Sequence, residues 1–232
     1  MNLFQEALAW LTSPDRASGT LPLAEAIGQH IGFTAVSVLI AAAVAIPLGY
    51  LIGHTGRGRE IAVGLSGAAR AIPSFGLILL LVLVLGVTRS EVGAVIAFVL
   101  LAIPSILAGA YAGVQAVDRR TVDAARSMGM TEWQILLKVE APLGLPLLIG
   151  GLRSATLQVV ATVTLAGYVN LGGIGFHIIQ GLQLRRYEQI LGASLIVVVL
   201  ALALDLLFAL IALAVRPGGS SSARPRRRLA TS

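Results

Sequence analysis

The chain has 232 residues, of which 56% are hydrophobic and only 12% charged, and its mean hydropathy is +0.89. Soluble domains carry about 25% charged residues, so the composition excludes a disordered chain and argues strongly against a soluble enzyme. The absence of cysteine excludes disulfides, cysteine-ligated metals and thiol nucleophiles. The net charge is +6, which in so apolar a chain indicates basic loops on the cytoplasmic side of a membrane rather than nucleic-acid binding.

Five apolar segments are long enough to cross a bilayer, which takes about 20 apolar residues per helix. They are residues 31–53, 61–86, 92–117, 142–169 and 190–215. The predicted fold class is therefore an all-α, polytopic membrane protein. A sixth span follows if residues 61–72 insert separately, because Pro73 interrupts a helix there.

The spans divide the chain into three predicted parts. Residues 1–30 form an N-terminal extracytoplasmic or interfacial segment, in which residues 3–11 are either a short amphipathic helix or an ordinary ordered tail. Residues 31–215 form the transmembrane domain. Residues 216–232 form a basic cytoplasmic tail, which we expect to be disordered and held near anionic lipid.

Orientation follows from the distribution of arginine and lysine. The loops on one side carry eleven of these residues and those on the other side carry four. This bias predicts an N-terminus outside, a C-terminus in the cytoplasm, and a cytoplasmic loop at residues 118–141. Arg70 and Arg153 fall inside predicted spans, where each either snorkels to the interface or forms an ion pair or gate.

The loop after the third span is the most densely charged part of this apolar region. Asp118 is a candidate N-cap for a first helix, and Gly129 is a natural residue to end it. Thr131 and Gln134 form a capping-box pattern for a second helix. Pro142 either ends that helix or bends it into the next span.

The same loop has the composition of a contact surface. Ala124 and Ala125 would allow another surface to approach closely, while Met128, Met130 and Trp133 offer flexible and aromatic apolar contacts. Two interpretations remain open from the residues alone: a protein interface, or an amphipathic segment resting on lipid.

The spacing of this loop resembles the EAA loop of permeases from type I ATP-binding cassette (ABC) importers. The chain has Asp123-Ala124-Ala125, three residues, Gly129, nine residues, and an ending at Pro142. Asp replaces the usual Glu, Val replaces Ile, and Ala replaces Leu, which removes some apolar bulk. The resemblance implies a coupling helix that docks on an ATP-binding subunit. The residues it implicates are Asp123, Ala124, Ala125, Met128, Gly129, Met130, Trp133 and Pro142.

Further segments resemble the permeases of osmoprotectant importers, which carry glycine betaine, choline, carnitine or proline. These segments are residues 45–49, 70–74, 102–105, 167–175 and 190–194, with Asp205 in the last span. The resemblance implies a prokaryotic plasma-membrane transport subunit that is not itself an enzyme. It binds no cofactor directly, because a partner ATPase uses the ATP. The other implied partners are a second permease copy or sister permease, an extracytoplasmic substrate-binding protein and the lipid membrane, but not nucleic acid.

Polar residues in the last two spans are candidates for a translocation pathway. Ser154, Gln158 and Thr162 recur at every fourth position and are expected to share a helix face. Asp205 lies near the middle of the last span, where a carboxylate is costly unless it is paired, hydrated or protonated. Hydrogen bonding between packed helices explains all four residues equally well.

The alternatives follow from the same residues. An amino-acid importer of the methionine type would share the loop and the glycine-rich segment at 172–175, which we expect to be a turn or scoop rather than a regular helix. A proton-coupled secondary transporter would instead use Asp205.

His30, His54 and His177 show no metal spacing and are interpreted as incidental. With 5% aromatic residues and no visible cage, recognition of a quaternary ammonium is assigned to the separate binding protein.

Overall fold

A computed structural model gives the fold. It describes residues 2–17, 19–60, 62, 64, 67 and 71–215. Within these residues the chain is helical and contains no strand. Arg70 and the basic tail predicted at 216–232 lie outside the described residues, as does part of the second predicted span.

Nine α-helices are described, together with short 3₁₀ turns and one π-helical turn. They are α1 (Leu3–Thr12), α2 (Leu23–Thr55), α3 (Ser74–Leu85), α4 (Ser90–Gln115), α5 (Arg119–Ser127), α6 (Glu132–Ile135), α7 (Ala141–Leu165), α8 (Gly173–Leu184) and α9 (Tyr187–Ala214).

Four stretches among the described residues are long and apolar enough to cross a membrane. They are Leu23–Thr55, Val87–Gln115, Glu132–Val169 and Tyr187–Ala214. These coincide with four of the five predicted spans. The second predicted span is represented by α3, which is apolar but only 12 residues long. Pro73 is the N-cap of α3, so the proline sets the start of this helix.

Helix α4 occupies the centre of the bundle and packs against α2, α3 and α7. Its contact with α2 depends on two glycines spaced four residues apart. A Cβ on Gly49 would lie 2.6 Å from the Cβ of Ala110, and one on Gly53 would lie 2.7 Å from the Cβ of Val114. Small residues at this spacing allow membrane helices to approach to backbone contact.

The opposite side of α4 meets α7 through glycines from both helices. A Cβ on Gly113 would lie 2.6 Å from the carbonyl oxygen of Gly144, and one on Gly109 would lie 2.8 Å from the Cα of Gly151. The buried core around these contacts is rich in alanine, with Phe98 as its largest side chain. Close backbone packing therefore holds α2, α4 and α7 together.

Helix α1 is ordered by a capping box and by packing on α9. The Asn2 side chain accepts a hydrogen bond from the Gln5 backbone N–H, and the Gln5 side-chain oxygen accepts one from the Asn2 backbone N–H. Ala7 is buried, and the Trp10 ring packs on Gly192 of α9, where a Cβ would come within 2.6 Å of the ring. Helix α1 is therefore docked on α9.

The second helix of the 118–141 loop does not end at Pro142. Helix α6 passes through a π-helical turn, Leu136–Glu140, directly into α7. The Ala141 N–H bonds to the carbonyl of Leu136, five residues back, rather than four. Proline has no N–H to donate, and the wider turn accommodates it without breaking the helix. Of the two expectations for Pro142, the structure therefore matches continuation into the next span rather than an end of the helix.

Candidate functional site

The 118–141 loop is a folded unit with its own small core. Val117, Val122, Ala125 and Ile135 are buried together, and Met130 packs against them. Ala125 was expected at the contact surface, but it faces inward because it follows Val122 by three positions on the same helix face. Met130 likewise contributes to the core of the loop rather than to its most exposed face.

Both helices of this loop begin as their sequences predict. The Asp118 side chain accepts a hydrogen bond from the Arg120 N–H at 2.9 Å and caps α5. Thr131 and Gln134 form the reciprocal bonds of a capping box at the start of α6. Gly129 joins the helices at φ +84°, a conformation that strains residues with a side chain. The turn between the helices is therefore fixed locally.

Apolar side chains project outward from this fixed framework. Met128 is 76% exposed, Trp133 63% and Leu137 60%. Asp123, Ala124 and Gly129 are exposed beside them. Leu137 was not among the predicted contact residues, although it follows Trp133 by four positions and the spacing could have revealed it. These exposed apolar groups form a surface available for a partner. Pro142 is exposed in the first turn of α7.

Charged groups of the loop form a connected cluster. Arg126 donates to both carboxylate oxygens of Glu132, from Nε at 2.8 Å and from Nη2 at 3.0 Å, and its Nη1 donates to Asp123 Oδ1 at 3.1 Å. The hydrogen bond and charge of Arg126 lower the pKa of the Glu132 carboxyl, so Glu132 stays ionised to lower pH than an ordinary glutamate. The pairing also raises the pKa of Arg126.

His54, near the end of α2, extends this cluster into the protein. Its Nδ1 lies 2.5 Å from Glu140 Oε2, and its Nε2 lies 3.2 Å from Glu132 Oε2. Glu140 is only 2% exposed, so its carboxylate needs a partner. The interpretation of His54 as incidental is therefore wrong. Residues 54 and 140 are 86 positions apart, and no local spacing connects them.

The other two histidines are also structurally engaged. His30 is fully buried, and its Nε2 donates to the carbonyl oxygen of Val160 at 3.1 Å. His177 is buried beneath edge-to-face contacts with Trp10 and Phe176. Both histidines therefore contribute to the packing of neighbouring helices. Their interpretation as incidental did not anticipate these contacts.

Arg153 of α7 and Asp205 of α9 form a bidentate ion pair. Arg153 Nε donates to Oδ1 at 2.5 Å, and Nη2 donates to Oδ2 at 2.6 Å. Of the two expectations for Arg153, the structure matches the ion pair rather than snorkelling. The same contact supplies the partner that a carboxylate inside a span needs.

The three residues of the predicted polar stripe on α7 differ in burial. Ser154 is exposed, Gln158 is half-buried, and Thr162 is buried with its hydroxyl donating to the Gln158 carbonyl at 2.7 Å. A helix advances 3.6 residues per turn, so positions four apart drift by about 40° per step. The three side chains therefore differ in exposure, and only those of Ser154 and Gln158 are exposed or half-exposed.

The glycine-rich segment after α7 combines a turn with a helix start. Gly172 and Gly173 adopt positive φ, as a turn requires, but α8 begins at Gly173 and includes Gly175. A Cβ on Gly175 would lie 2.2 Å from the Thr164 carbonyl oxygen. The expectation of no regular helix is therefore wrong, because the glycines let α8 begin against the end of α7.

These features define a class of protein: a multi-pass membrane protein, helical throughout its described residues, with a capped and partly apolar helical loop between two of its long helices. A family described as "binding-protein-dependent transport system inner membrane component" matches residues 45–218. This match covers most of the chain.

Curated relatives agree with that match. The carnitine transport permease protein OpuCB of Listeria monocytogenes is 33% identical over 177 residues, covering 76% of this chain and 80% of that protein. The glycine betaine/carnitine/choline transport system permease protein OpuCB of Bacillus subtilis (strain 168) is 29% identical over 192 residues, covering 83% and 88%.

A solved structure has the same fold. An inward-facing structure of the MetNI methionine ABC transporter superposes with a TM-score of 0.72 and 21% identity, covering 84% of this chain and 96% of that chain. The chain therefore belongs to the binding-protein-dependent transport system inner membrane component family, and is a multi-pass permease subunit of the inner membrane.

Proposed function

We propose that this chain is the permease subunit of an ABC importer for osmoprotectants such as glycine betaine, choline, carnitine or proline. The observation that carries this proposal is the capped 118–141 loop with its outward apolar side chains Met128, Trp133 and Leu137. The relatives, which are named as permeases for carnitine, choline and glycine betaine, support the substrate class.

The 118–141 loop docks on a separate ATPase subunit in this proposal. Trp133 and Met128 supply apolar contact, since interface cores favour aromatic side chains and methionine. Asp123 and Ala124 lie on the exposed side, and Gly129 sets the turn between the helices. Ala125, Met130 and Pro142 act indirectly in this arrangement. The first two pack the loop core, and Pro142 lies where α7 begins.

A pathway for substrate forms between this permease and a second copy or sister permease. The exposed and half-exposed polar groups of α7, Ser154 and Gln158, are its proposed lining. Thr162 and Asp205 have a supporting role, because the first is buried and the second is paired with Arg153. The C-terminus and the docking loop face the cytoplasm, as the basic residues indicate.

An extracytoplasmic binding protein supplies most of the substrate recognition in this proposal. The aromatic contacts among the described residues are the pair Phe75 and Tyr168, with ring centroids 5.1 Å apart, and the buried His177 between Trp10 and Phe176. A quaternary ammonium is usually held by several aromatic faces at once. We therefore expect no micromolar binding of glycine betaine by the purified permease alone, and such binding would contradict this division of roles.

A methionine-type amino-acid importer is the alternative within the same class, since a methionine transporter has this fold. A proton-coupled secondary transporter is the alternative from another class. It would need a titrating carboxylate in a span, whereas Asp205 is held by two hydrogen bonds from Arg153. The ion pair therefore weakens the reason for invoking proton coupling.

The deciding experiment reconstitutes the permease with its ATPase and binding protein in vesicles. Uptake of labelled betaine, choline, carnitine and methionine is measured with and without internal ATP. ATP-dependent uptake of the three quaternary ammonium compounds, insensitive to a proton uncoupler, is expected. Uptake of methionine alone would establish the amino-acid alternative. Uptake that needs no ATPase and collapses with the uncoupler would establish the secondary transporter.

A further inference from the structure

His54, near the C-terminal end of α2, contacts two carboxylates of the docking loop at residues 118–141. Both imidazole nitrogens face carboxylate oxygens, Nδ1 at 2.5 Å from Glu140 and Nε2 at 3.2 Å from Glu132. The two carboxylates come from the two ends of the α6 and π-turn segment.

The carboxylates that His54 contacts belong to different environments. Glu140 is buried, whereas Glu132 is exposed and receives the two hydrogen bonds from Arg126. Arg126 in turn reaches Asp123 on the exposed side of α5. A continuous chain of polar contacts therefore runs from Asp123 on the exposed side of α5 to the buried Glu140 beside the end of α2.

The opposite end of α2 contacts the glycine turn that precedes α8. Gln29 Oε1 accepts a hydrogen bond from the Gly173 N–H at 3.0 Å. The next residue, His30, donates to the Val160 carbonyl of α7. The 25 positions between Gln29 and His54 correspond to roughly 38 Å of helix. One helix thus contacts the docking loop at one end and the glycine turn at the other.

Between these ends α2 is interlocked with α4. Gly49 and Gly53 bring the two backbones so close that no Cβ would fit at either position. Such packing is stiff, because displaced backbone atoms would collide rather than adjust. Pro47 lies inside α2, but the helix is continuous from Leu23 to Thr55. A shift applied at His54 is therefore expected to carry α2 and α4 together rather than to slide one helix along the other.

We propose that His54 is a positioning residue that makes α2 the rod linking the docking loop to the glycine turn at Gly172 and Gly173. Movement of the loop by the ATPase shifts α2 through His54, and α2 shifts the turn through Gln29. The inference rests on the proposed function, in which the loop docks on an ATPase. The competing route is α7 alone, which is continuous with the loop.

The test compares His54→Gln with Thr55→Ser in the reconstituted importer. Thr55 is the neighbouring exposed residue. Its hydroxyl donates to the carbonyl oxygen of Leu51 and accepts from the N–H of Arg57, both close in sequence. We measure ATP hydrolysis and uptake of labelled glycine betaine in the same vesicles. His54→Gln is expected to retain hydrolysis but to lower the substrate carried per ATP by about 2- to 30-fold. Thr55→Ser is expected to keep the wild-type ratio.

Glu140→Gln guards against a variant that fails to fold, because it removes the charge and keeps the shape. It is expected to lower the transported amount per ATP, and the double variant should lose less than the sum of the single losses. Wild-type ratios in both single variants would overturn the inference and assign coupling to α7. Equal loss of hydrolysis and uptake would also overturn it, because that result indicates a general structural defect.

Amide hydrogen exchange of the purified permease separates this inference from the proposed function. His54→Gln is expected to speed exchange at residues 119–140, whereas Thr55→Ser is not. If the wild type shows no ATP-dependent uptake, the proposed function fails, and exchange decides the anchoring step alone. Faster exchange then supports His54 as the anchor of the loop, and unchanged exchange overturns it.

Discussion

Arg153 of α7 and Asp205 of α9 are joined by two hydrogen bonds, at 2.5 and 2.6 Å. Helix α9 packs against α1, α7 and α8, but none of its most apolar window is buried within the chain. Each charge lies in a predicted span, where an unpaired charge is costly. The pair is therefore a polar contact that joins the last helix to α7 beside their apolar packing.

Replacing either partner of this ion pair should destabilise the permease. Asp205→Asn and Arg153→Gln each leave one charge without its partner, so the melting temperature in detergent should fall. The exchange Arg153→Asp with Asp205→Arg should restore much of the loss, because the two charges meet again. Thermal unfolding of the purified variants measures this. Single variants as stable as the wild type would show that the contact contributes nothing.

The glycine contacts of α4 give a second prediction. Gly113→Ala would place a Cβ 2.6 Å from the Gly144 carbonyl oxygen, which is backbone and has little freedom to move. Overpacking of this kind costs about 1–3 kcal/mol, so the melting temperature should fall. Gly32→Ala is the matched control, because a Cβ there meets nothing within 4 Å and alanine favours a helix. A stable Gly113→Ala would contradict the close α4–α7 contact.

Local patterns in the sequence predict much of this fold. Four of the long apolar segments and the caps at Asp118 and Thr131 follow from runs and spacings within a few residues of one another. The pairs at 49 and 53 and at 109 and 113 have the small-residue spacing of close helix contacts, so α4 could have been recognised as central.

Contacts between residues far apart in the sequence could not be predicted from such local patterns. The partners His54 and Glu140 belong to helices that meet only after the bundle has assembled. The pairing of Arg153 with Asp205 depends on how α9 rotates about its axis, and its nearly uniform apolar surface gives no periodic signal. The inward position of Ala125 could have been predicted from Val122, because the three-residue spacing places both on one face.

Gly129 provides a prediction about coupling. Its φ of +84° is unfavourable for a β-branched residue, so Gly129→Val should distort the turn between α5 and α6. We expect membrane insertion at the wild-type level but a loss of ATP-dependent uptake. Gly129→Asn is the matched control, because asparagine tolerates positive φ and should keep most of the activity. Normal uptake by Gly129→Val would count strongly against a coupling role for the loop.

The exposed apolar side chains of the docking loop lead to a prediction about its affinity for the ATPase. Trp133→Ala should weaken the affinity for the ATPase by about tenfold or more, since buried tryptophans are frequent hot spots at interfaces. Leu137→Ala should have a smaller effect in the same direction. Val139 contacts the loop core, so Val139→Ala tests whether loss of loop stability alone reduces affinity. Titration of the ATPase against the detergent-solubilised permease measures all three, and wild-type affinity in Trp133→Ala would place the interface elsewhere.

The contact between Trp10 and Gly192 predicts that α1 can be detached from α9 by one side chain. Gly192→Leu would force a bulky group into the space of the indole, where even a Cβ would lie 2.6 Å from the ring. The chain has two tryptophans, so a Trp133→Phe background leaves Trp10 as the sole tryptophan reporter. Its fluorescence should change in intensity and in quenching by added iodide when α1 is displaced. Gly28→Leu is the control, because a Cβ there meets nothing within 4 Å; unchanged Trp10 emission in Gly192→Leu would contradict the docking of α1.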